Sequence, residues 1–145
     1  MGKGLPNSYG GKMKKIEEIQ LPDELRYSLD HQWIRPEGPL VRVGITDYAQ
    51  DQLGDIVYVE LPAVGAHIAQ GAVFATVESV KSVSDCVLPL AGEVVAVNEP
   101  LANDPTALNI SPYGEGWMVL VKPVNAVAVE SLLTAELYLA QLKGD

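Results

Sequence analysis

A chain of 145 residues with 48% hydrophobic content is long enough for one compact core and too short for two ordinary ones. Its 19 acidic and 10 basic residues give a formal net charge of −9, which disfavours any function resting on phosphate neutralisation, so nucleic acid is not an expected partner. The single cysteine, Cys86, excludes an internal disulfide framework and a CxxC redox pair, and no apolar run is long enough to read as a membrane span or a secretory signal. These features suit a soluble intracellular protein in a reducing compartment, with Cys86 a small buried apolar residue.

Four of the ten basic residues, Lys3, Lys12, Lys14 and Lys15, precede the first acid. Residues 16–145 therefore carry 6 basic and 19 acidic residues, a net charge of −13. The Gly-rich, aperiodic opening reads as a flexible leader or a cloning remnant over residues 1–15, with Met13 a candidate natural start, and residues 16–145 read as a single domain. Residues 16–28 are an irregular lead-in, since Pro22 interrupts any helix. Apolar residues Trp33, Ile34, Leu40, Val41, Val43 and Ile45 flank Pro36-Glu37-Gly38-Pro39 and predict a hairpin. A short helix follows, capped by Thr46 or Asp47, with Tyr48, Ala49 and Leu53 on a shared side and Gly54 as its stop.

After Gly54 the pattern turns to short β-strands bounded by Gly, Pro, Ser and Asn: DIVYVELP, AVFATVESV, SDCVLPL and GEVVAVN. The stretch from Gly54 to Pro62 aligns with that from Gly92 to Pro100 at a constant offset of 38 residues, matching Ile56 to Val94, Val57 to Val95 and Val59 to Val97. Each copy leads through a glycine, Gly71 or Gly116, into another apolar strand. Neither strand pair could bury its apolar face alone, so the duplication predicts two small sheets packed about an approximate two-fold axis. The second copy carries an insertion in which Asp104-Pro105 offers cap and first-turn chemistry for one helical turn. At the end, Leu132, Leu133, Leu137 and Ala140 predict an amphipathic helix capped by Ser131 and closed by Lys143 and Gly144.

Between Arg42 and Lys122 stand ten acids and one basic residue, Lys81, in the link between the two copies. Two strands flank it, so it should stand at an exposed hairpin turn, where a modifying enzyme could reach its single amine. An exposed lysine is ordinarily just a solvated charge; its isolation among acids is what singles it out. Glu78 and Asp85 flank the turn and by themselves read as solvated surface acids. His31 has no recognisable Ser or Cys nucleophile beside it and reads as structural, His67 has no motif around it, and Trp117 reads as core. Tyr113 and the Gly114–Gly116 turn are candidate partner contacts. GEG lacks the spacing of a dinucleotide fingerprint.

The blocks HQW, VGITDYAQDQLGDIVYVELP, VGA, ESVKSVSD, GEVVAVN and SPYGEGW, in that order between about Tyr27 and Leu142, resemble the lipoyl proteins, and in particular the H proteins of the glycine cleavage system. The resemblance implies a mainly β, lipoyl-domain-like barrel-sandwich hybrid of two small antiparallel sheets, with short helices and a C-terminal helix. It implies lipoic acid in amide linkage on Lys81 and no catalysis by the chain itself. It also implies four partners. A pyridoxal-phosphate glycine decarboxylase would load an aminomethyl group, a tetrahydrofolate-dependent aminomethyltransferase would remove its one-carbon unit, an FAD-dependent dihydrolipoyl dehydrogenase would reoxidise the arm, and a lipoylating enzyme would attach it. By the same resemblance Glu78 matches a position recognised by the lipoylating enzyme, and Asp85 one lining the cleft that shelters the loaded arm. The family usually reads His-Glu-Trp where this chain has His31-Gln32-Trp33, an amide in place of a cleft carboxylate; weaker retention of a cationic arm is the expectation unless Asp30 compensates. The compartment implied is the bacterial cytoplasm, or the mitochondrial matrix in a eukaryote.

Three other readings are weighed against this one. A biotin carrier would typically set its lysine between methionines, whereas Val80 and Ser82 flank Lys81. A Schiff-base enzyme would need an amine of lowered pKa, and adjacent acids act the other way. An H-like carrier that passes lipoate to other proteins is kept open by Gln32.

Overall fold

The computed structural model describes residues 13–144. The predicted leader lies outside the described residues except for residues 13–15. Its strands are β1 (Arg26–Tyr27), β2 (Gln32–Glu37), β3 (Leu40–Ile45), β4 (Ile56–Glu60), β5 (His67–Ile68), β6 (Val73–Ser79), β7 (Val83–Val87), β8 (Gly92–Val97) and β9 (Val119–Pro123). Three α-helices accompany them, α1 (Asp47–Leu53), α2 (Ala107–Ile110) and α3 (Ala135–Gly144), with 3-10 turns at Ile16–Glu18, Glu99–Ala102 and Ala126–Ser131. All strand pairs are antiparallel. They form a six-stranded sheet in the order β1-β2-β3-β9-β8-β5 and a three-stranded sheet β4-β6-β7.

The duplicated stretches become β4 and β8, and each pairs with the strand expected after its glycine, β4 with β6 and β8 with β9. The two copies lie in different sheets, but the sheets are unequal, because the β1–β2–β3 meander adds to the β9 edge of one of them. Inward residues of both sheets share one core that includes Val43, Ile56, Val77, Leu88, Val94 and Val121. Burial of this apolar surface is the main force joining the sheets. Cys86 is buried there, and desolvation pushes its thiol up to about 12.

The predicted hairpin forms with Glu37 opposite Leu40 and Gly38 at φ 63° in its two-residue turn. Helix α1 forms as expected. Thr46 is its cap, with its hydroxyl accepting from Ala49 N at 3.1 Å, and Gly54 at φ 80° ends it. Two predictions need correction. Asp104 does not cap α2; its carboxylate accepts from Thr106 Oγ1 at 2.5 Å, and Thr106 occupies the cap position. Helix α3 starts later than Ser131 suggests. Leu133 exchanges backbone hydrogen bonds with Tyr27, Thr134 Oγ1 accepts from Leu137 N at 3.3 Å, and the fully buried helix residues are Ala135 and Tyr138, with Leu137 exposed. The first part of the long apolar run fits a helical face but docks instead, strand-like, onto β1.

Helix α3 packs Tyr138 parallel to Tyr27, ring centroids 5.0 Å apart, closing a second small core with Leu25 and Trp33. Trp117 is half-buried at its margin and is covered by the Arg42 guanidinium, 4.3 Å from the ring centroid. Among the described residues no helix is long and apolar enough to cross a membrane.

Candidate functional site at the β6–β7 turn

Strands β6 and β7 are joined by Ser79-Val80-Lys81-Ser82, a turn held from inside by one serine. Ser79 N donates to Ser82 O at 2.8 Å, while Ser79 Oγ accepts from Ser82 N at 3.1 Å and from Lys81 N at 3.3 Å. A serine hydroxyl that takes the place of a backbone acceptor explains why the turn needs no Asn-Gly signal. A further bond ties the tip to the rest of the molecule: Val80 N donates to Asp55 O at 3.1 Å, in the junction between α1 and β4. Lys81 is exposed, as are Val80 and Val83 on either side.

The Lys81 stem lies over the end of α1. Its Cε is 3.5 Å, and its Nζ 4.0 Å, from the point a Cβ at Gly54 would occupy. Asp51, one turn earlier in α1, feels this charge. Burial raises its carboxyl above the usual carboxylate range, while the backbone amide and charge of Lys14 and the more distant charge of Lys81 act to lower it.

Alternation along β6 and β7 turns Ala75, Val77 and Cys86 inward and leaves Thr76, Glu78, Val83 and Asp85 on the outer face, while a register shift between Val73 and Ala75 buries Phe74 as well. Glu78 stands between Tyr58 of β4 and Val83 of β7, and Asp85 stands opposite Thr76, whose hydroxyl donates to it at 3.4 Å. The structure thus brings Lys81, Glu78 and Asp85 onto one hairpin, with no ion pair joining them among the described residues.

Asp30, His31 and Gln32 belong to a different place, the β1–β2 turn. Gln32 is only 2% exposed. Its Oε1 accepts from Ser28 Oγ at 2.8 Å and its Nε2 donates to Asp30 O at 2.9 Å, so the amide is spent on closing its own turn. Asp30 lines a cleft of about 270 Å³ together with Ser28, Gln70, Leu88 and Leu133, and neither Lys81 nor Asp85 contributes to its walls. His31 adopts φ 71° at the head of β2, and its Nδ1 lies 2.7 Å from the Tyr138 hydroxyl, which is itself 2.9 Å from Thr46 Oγ1. Desolvation lowers the imidazole pKa, with Asp30 opposing weakly. A neutral ring accepting at Nδ1 from Tyr138, which accepts in turn from Thr46, satisfies all three groups and makes His31 a structural link between β2, α1 and α3.

Tyr113 is also structural. Its hydroxyl donates to Gln20 O at 2.5 Å and accepts from Asp47 N at 2.9 Å. Sequence reasoning offered Asp47 only as a helix cap and passed over Asn109. Asp47, 3% exposed, accepts from Lys14 Nζ at 2.8 Å, Gln20 N at 2.9 Å and Gln50 Nε2 at 2.7 Å, fastening residues 14–20 onto α1. Asn109 of α2 reaches the α1–β4 junction. Neither role has a local signature, because Lys14 and Gln20 for Asp47, and Gly54 and Ile56 for Asn109, lie far away in sequence.

A family model described as glycine cleavage H-protein matches residues 25–145. The glycine cleavage system H protein of Bacteroides thetaiotaomicron is 51% identical over 126 residues, which cover 87% of this chain and all of that protein. That of Psychrobacter sp. PRwf-1 is 57% identical over 123 residues, covering 84% of this chain and 98% of its own length. Among solved structures, the crystal structure of a glycine cleavage system H protein from Mycobacterium marinum superposes with a TM-score of 0.77 at 41% identity, covering 86% of this chain and 100% of that one.

Proposed function

This chain belongs to the glycine cleavage H-protein family, the carrier family of the glycine cleavage system, and we propose that Lys81 is the attachment point of its arm, lipoic acid in amide linkage. The observation that carries the assignment is an exposed amine at the tip of the β6–β7 turn, the one basic residue in the long acidic stretch between Arg42 and Lys122. When bound, the group supplies a dithiolane that opens and recloses as it carries an aminomethyl unit between enzymes.

The chain's own part is presentation. Ser79 fixes the turn and Asp55 O holds its tip, so the amine is offered from a rigid base while the four-carbon stem stays mobile. Acylation forms a bond from Nζ to an activated carboxyl carbon; the activating group leaves with its electron pair, and Nζ gives up its proton. The product is a neutral amide, so the site loses its positive charge and Asp51 loses one of the influences that hold its carboxyl down.

Glu78, projecting beside the turn, is suited to being read by the lipoylating enzyme, and Asp85 to attracting a cationic group at the arm's end. Gln32 brings no charge, so a cationic group at the arm's end is held more weakly than a carboxylate at that position would hold it, unless Asp30, which lines the neighbouring cleft, compensates. The partners of this reading are the pyridoxal-phosphate glycine decarboxylase, the tetrahydrofolate-dependent aminomethyltransferase and the FAD-dependent dihydrolipoyl dehydrogenase, met in the bacterial cytoplasm. The chain acts on none of their substrates itself.

Intact mass decides the assignment. Protein produced in a lipoate-replete cell should gain one lipoyl-sized increment, and Lys81→Ala should gain none. An increment that persists in Lys81→Ala, or one of biotin size, overturns it. Lipoylated protein that glycine decarboxylase fails to load would favour the carrier that passes lipoate elsewhere.

A further inference from the structure

Asn109 lies in the insertion, 28 residues beyond Lys81 in sequence, yet it builds the seat on which the lysine turn rests. Its carboxamide is used completely. Nδ2 donates to Gly54 O at 3.0 Å and to Gln50 Oε1 at 2.9 Å, and Oδ1 accepts from Ile56 N at 3.0 Å. The first bond occupies the carbonyl that closes α1, where helix carbonyls run out of intrahelical partners, and the second a side-chain oxygen of the same helix. The third falls on a peptide group with a second task. The N–H of Ile56 and the carbonyl of Asp55 belong to one planar unit, and that carbonyl accepts Val80 N, the bond that ties the tip of the lysine turn to the α1–β4 junction. A rigid plane bonded at both ends cannot rotate to satisfy one partner without losing the other, and a bond at its N–H polarises its carbonyl as an acceptor.

The Gly54 conformation makes this support necessary. At φ 80° and ψ −158° it occupies a region open essentially to glycine, which leaves the preceding helix end and the following strand joined by a flexible link. The Lys81 stem crosses directly above it. Asn109 bridges the link by holding the Gly54 carbonyl on one side and the Ile56 amide on the other.

We propose that Asn109 is a positioning residue for Lys81: it orients the Asp55–Ile56 peptide that holds the Val80–Lys81 turn, and so sets the pose in which the amine meets the enzyme that acylates it. The inference rests on the reading of Lys81 as the arm-bearing residue. Loss of the carboxamide leaves the amine exposed and chemically unchanged, but lowers the fraction of chains whose turn is in the competent pose. A reduced competent fraction raises the apparent KM by its reciprocal and leaves kcat untouched.

The test is steady-state lipoylation by a lipoylating enzyme supplied with lipoate and ATP, followed by intact mass on wild type, Lys81→Ala and Asn109→Ala at a temperature where each is folded. For Asn109→Ala we expect KM for the acceptor protein to rise about fivefold with kcat within about twofold. Hydrogen exchange should show the Ile56 and Val80 amides losing about tenfold in protection while those of Val119 and Val121 in β9 keep theirs. Wild-type acylation with an unchanged KM in Asn109→Ala overturns this inference alone; a wild-type chain that is never acylated overturns the reading of Lys81. Should Asn109→Ala not fold, exchange in the wild type decides, because the Ile56 and Val80 amides must then open together. A Val80 amide exchanging at a free-loop rate beside a protected Ile56 amide would overturn it.

Discussion

His31 shows how a residue flagged beside a motif serves a purpose set by its neighbours. Its imidazole is half-buried among Tyr48, Tyr138 and Thr46, with Asp30 the nearby acid, and desolvation lowers its pKa. The folded protein therefore binds a proton at this ring less readily than the unfolded chain does. The stability it contributes is present above the ordinary histidine range and is lost as the pH falls through that range towards the lowered folded value. Thermal unfolding followed from pH 7.5 to 5.5 should show Tm falling by a few degrees, and His31→Asn, whose side chain tolerates the φ 71° backbone, should flatten that dependence over the same interval. An unaltered slope in the variant would assign the pH response to other groups. Gln32 sits beside it with its amide engaged by Ser28 and Asp30, a closure of the turn that the letters HQW do not disclose.

Among the elements, the β8–β9 pair is the most exacting, because strand approach there depends on one missing side chain. A Cβ at Gly92 would collide with Val121 Cγ1 and stand 2.6 Å from Lys122 O. The obstacle is partly backbone, so it cannot swing aside, and Gly92→Ala must spread the two strands in the middle of the large sheet. Overpacking of this kind costs about 3 kcal/mol, equivalent to a fall in Tm of about 10 °C for a domain of this size. Calorimetry on the variant checks the figure, and a Tm within about 2 °C of wild type would mean the strands yield more easily than their packing implies. Local signals served well where a local cause was sufficient. Thr46 and Gly54 bound α1 because capping is settled within one turn of helix, and Pro36 to Pro39 turned the chain because turn geometry needs only four residues. They failed for α3, where Leu132 and Leu133 fit a helical stripe equally well but are claimed by the edge of β1 and the cleft beside it.

For the molecule as a whole, charge sets how it meets its partners. A body of net charge −13 over residues 16–145 should be drawn to basic surfaces, giving fast encounters that need no large interface and release readily, as a shuttle requires. Turnover with a partner enzyme of the glycine cleavage system at low carrier concentration should slow about fivefold between 20 and 300 mM salt, since screening shortens the reach of this attraction to a few ångströms. A rate indifferent to salt would remove steering from the account. Lys81, Glu78 and Asp85 all lie on the outward side of one hairpin, so acidic charge stands beside the place where the arm would be presented.

The family, the antiparallel β character, the duplicated strand pair and the candidate lysine are all legible in the amino-acid order, because each rests on alternation or a contiguous motif. Only the folded chain reveals that Gln32 is turned inward, that His31 joins three elements, that Asp47 clamps the chain before it, and that Asn109 reaches the seat of the lysine turn. The physical reason is range. Periodicity and turn chemistry act between residues a few positions apart, whereas a buried polar side chain is defined by whichever donors and acceptors the completed fold brings to it.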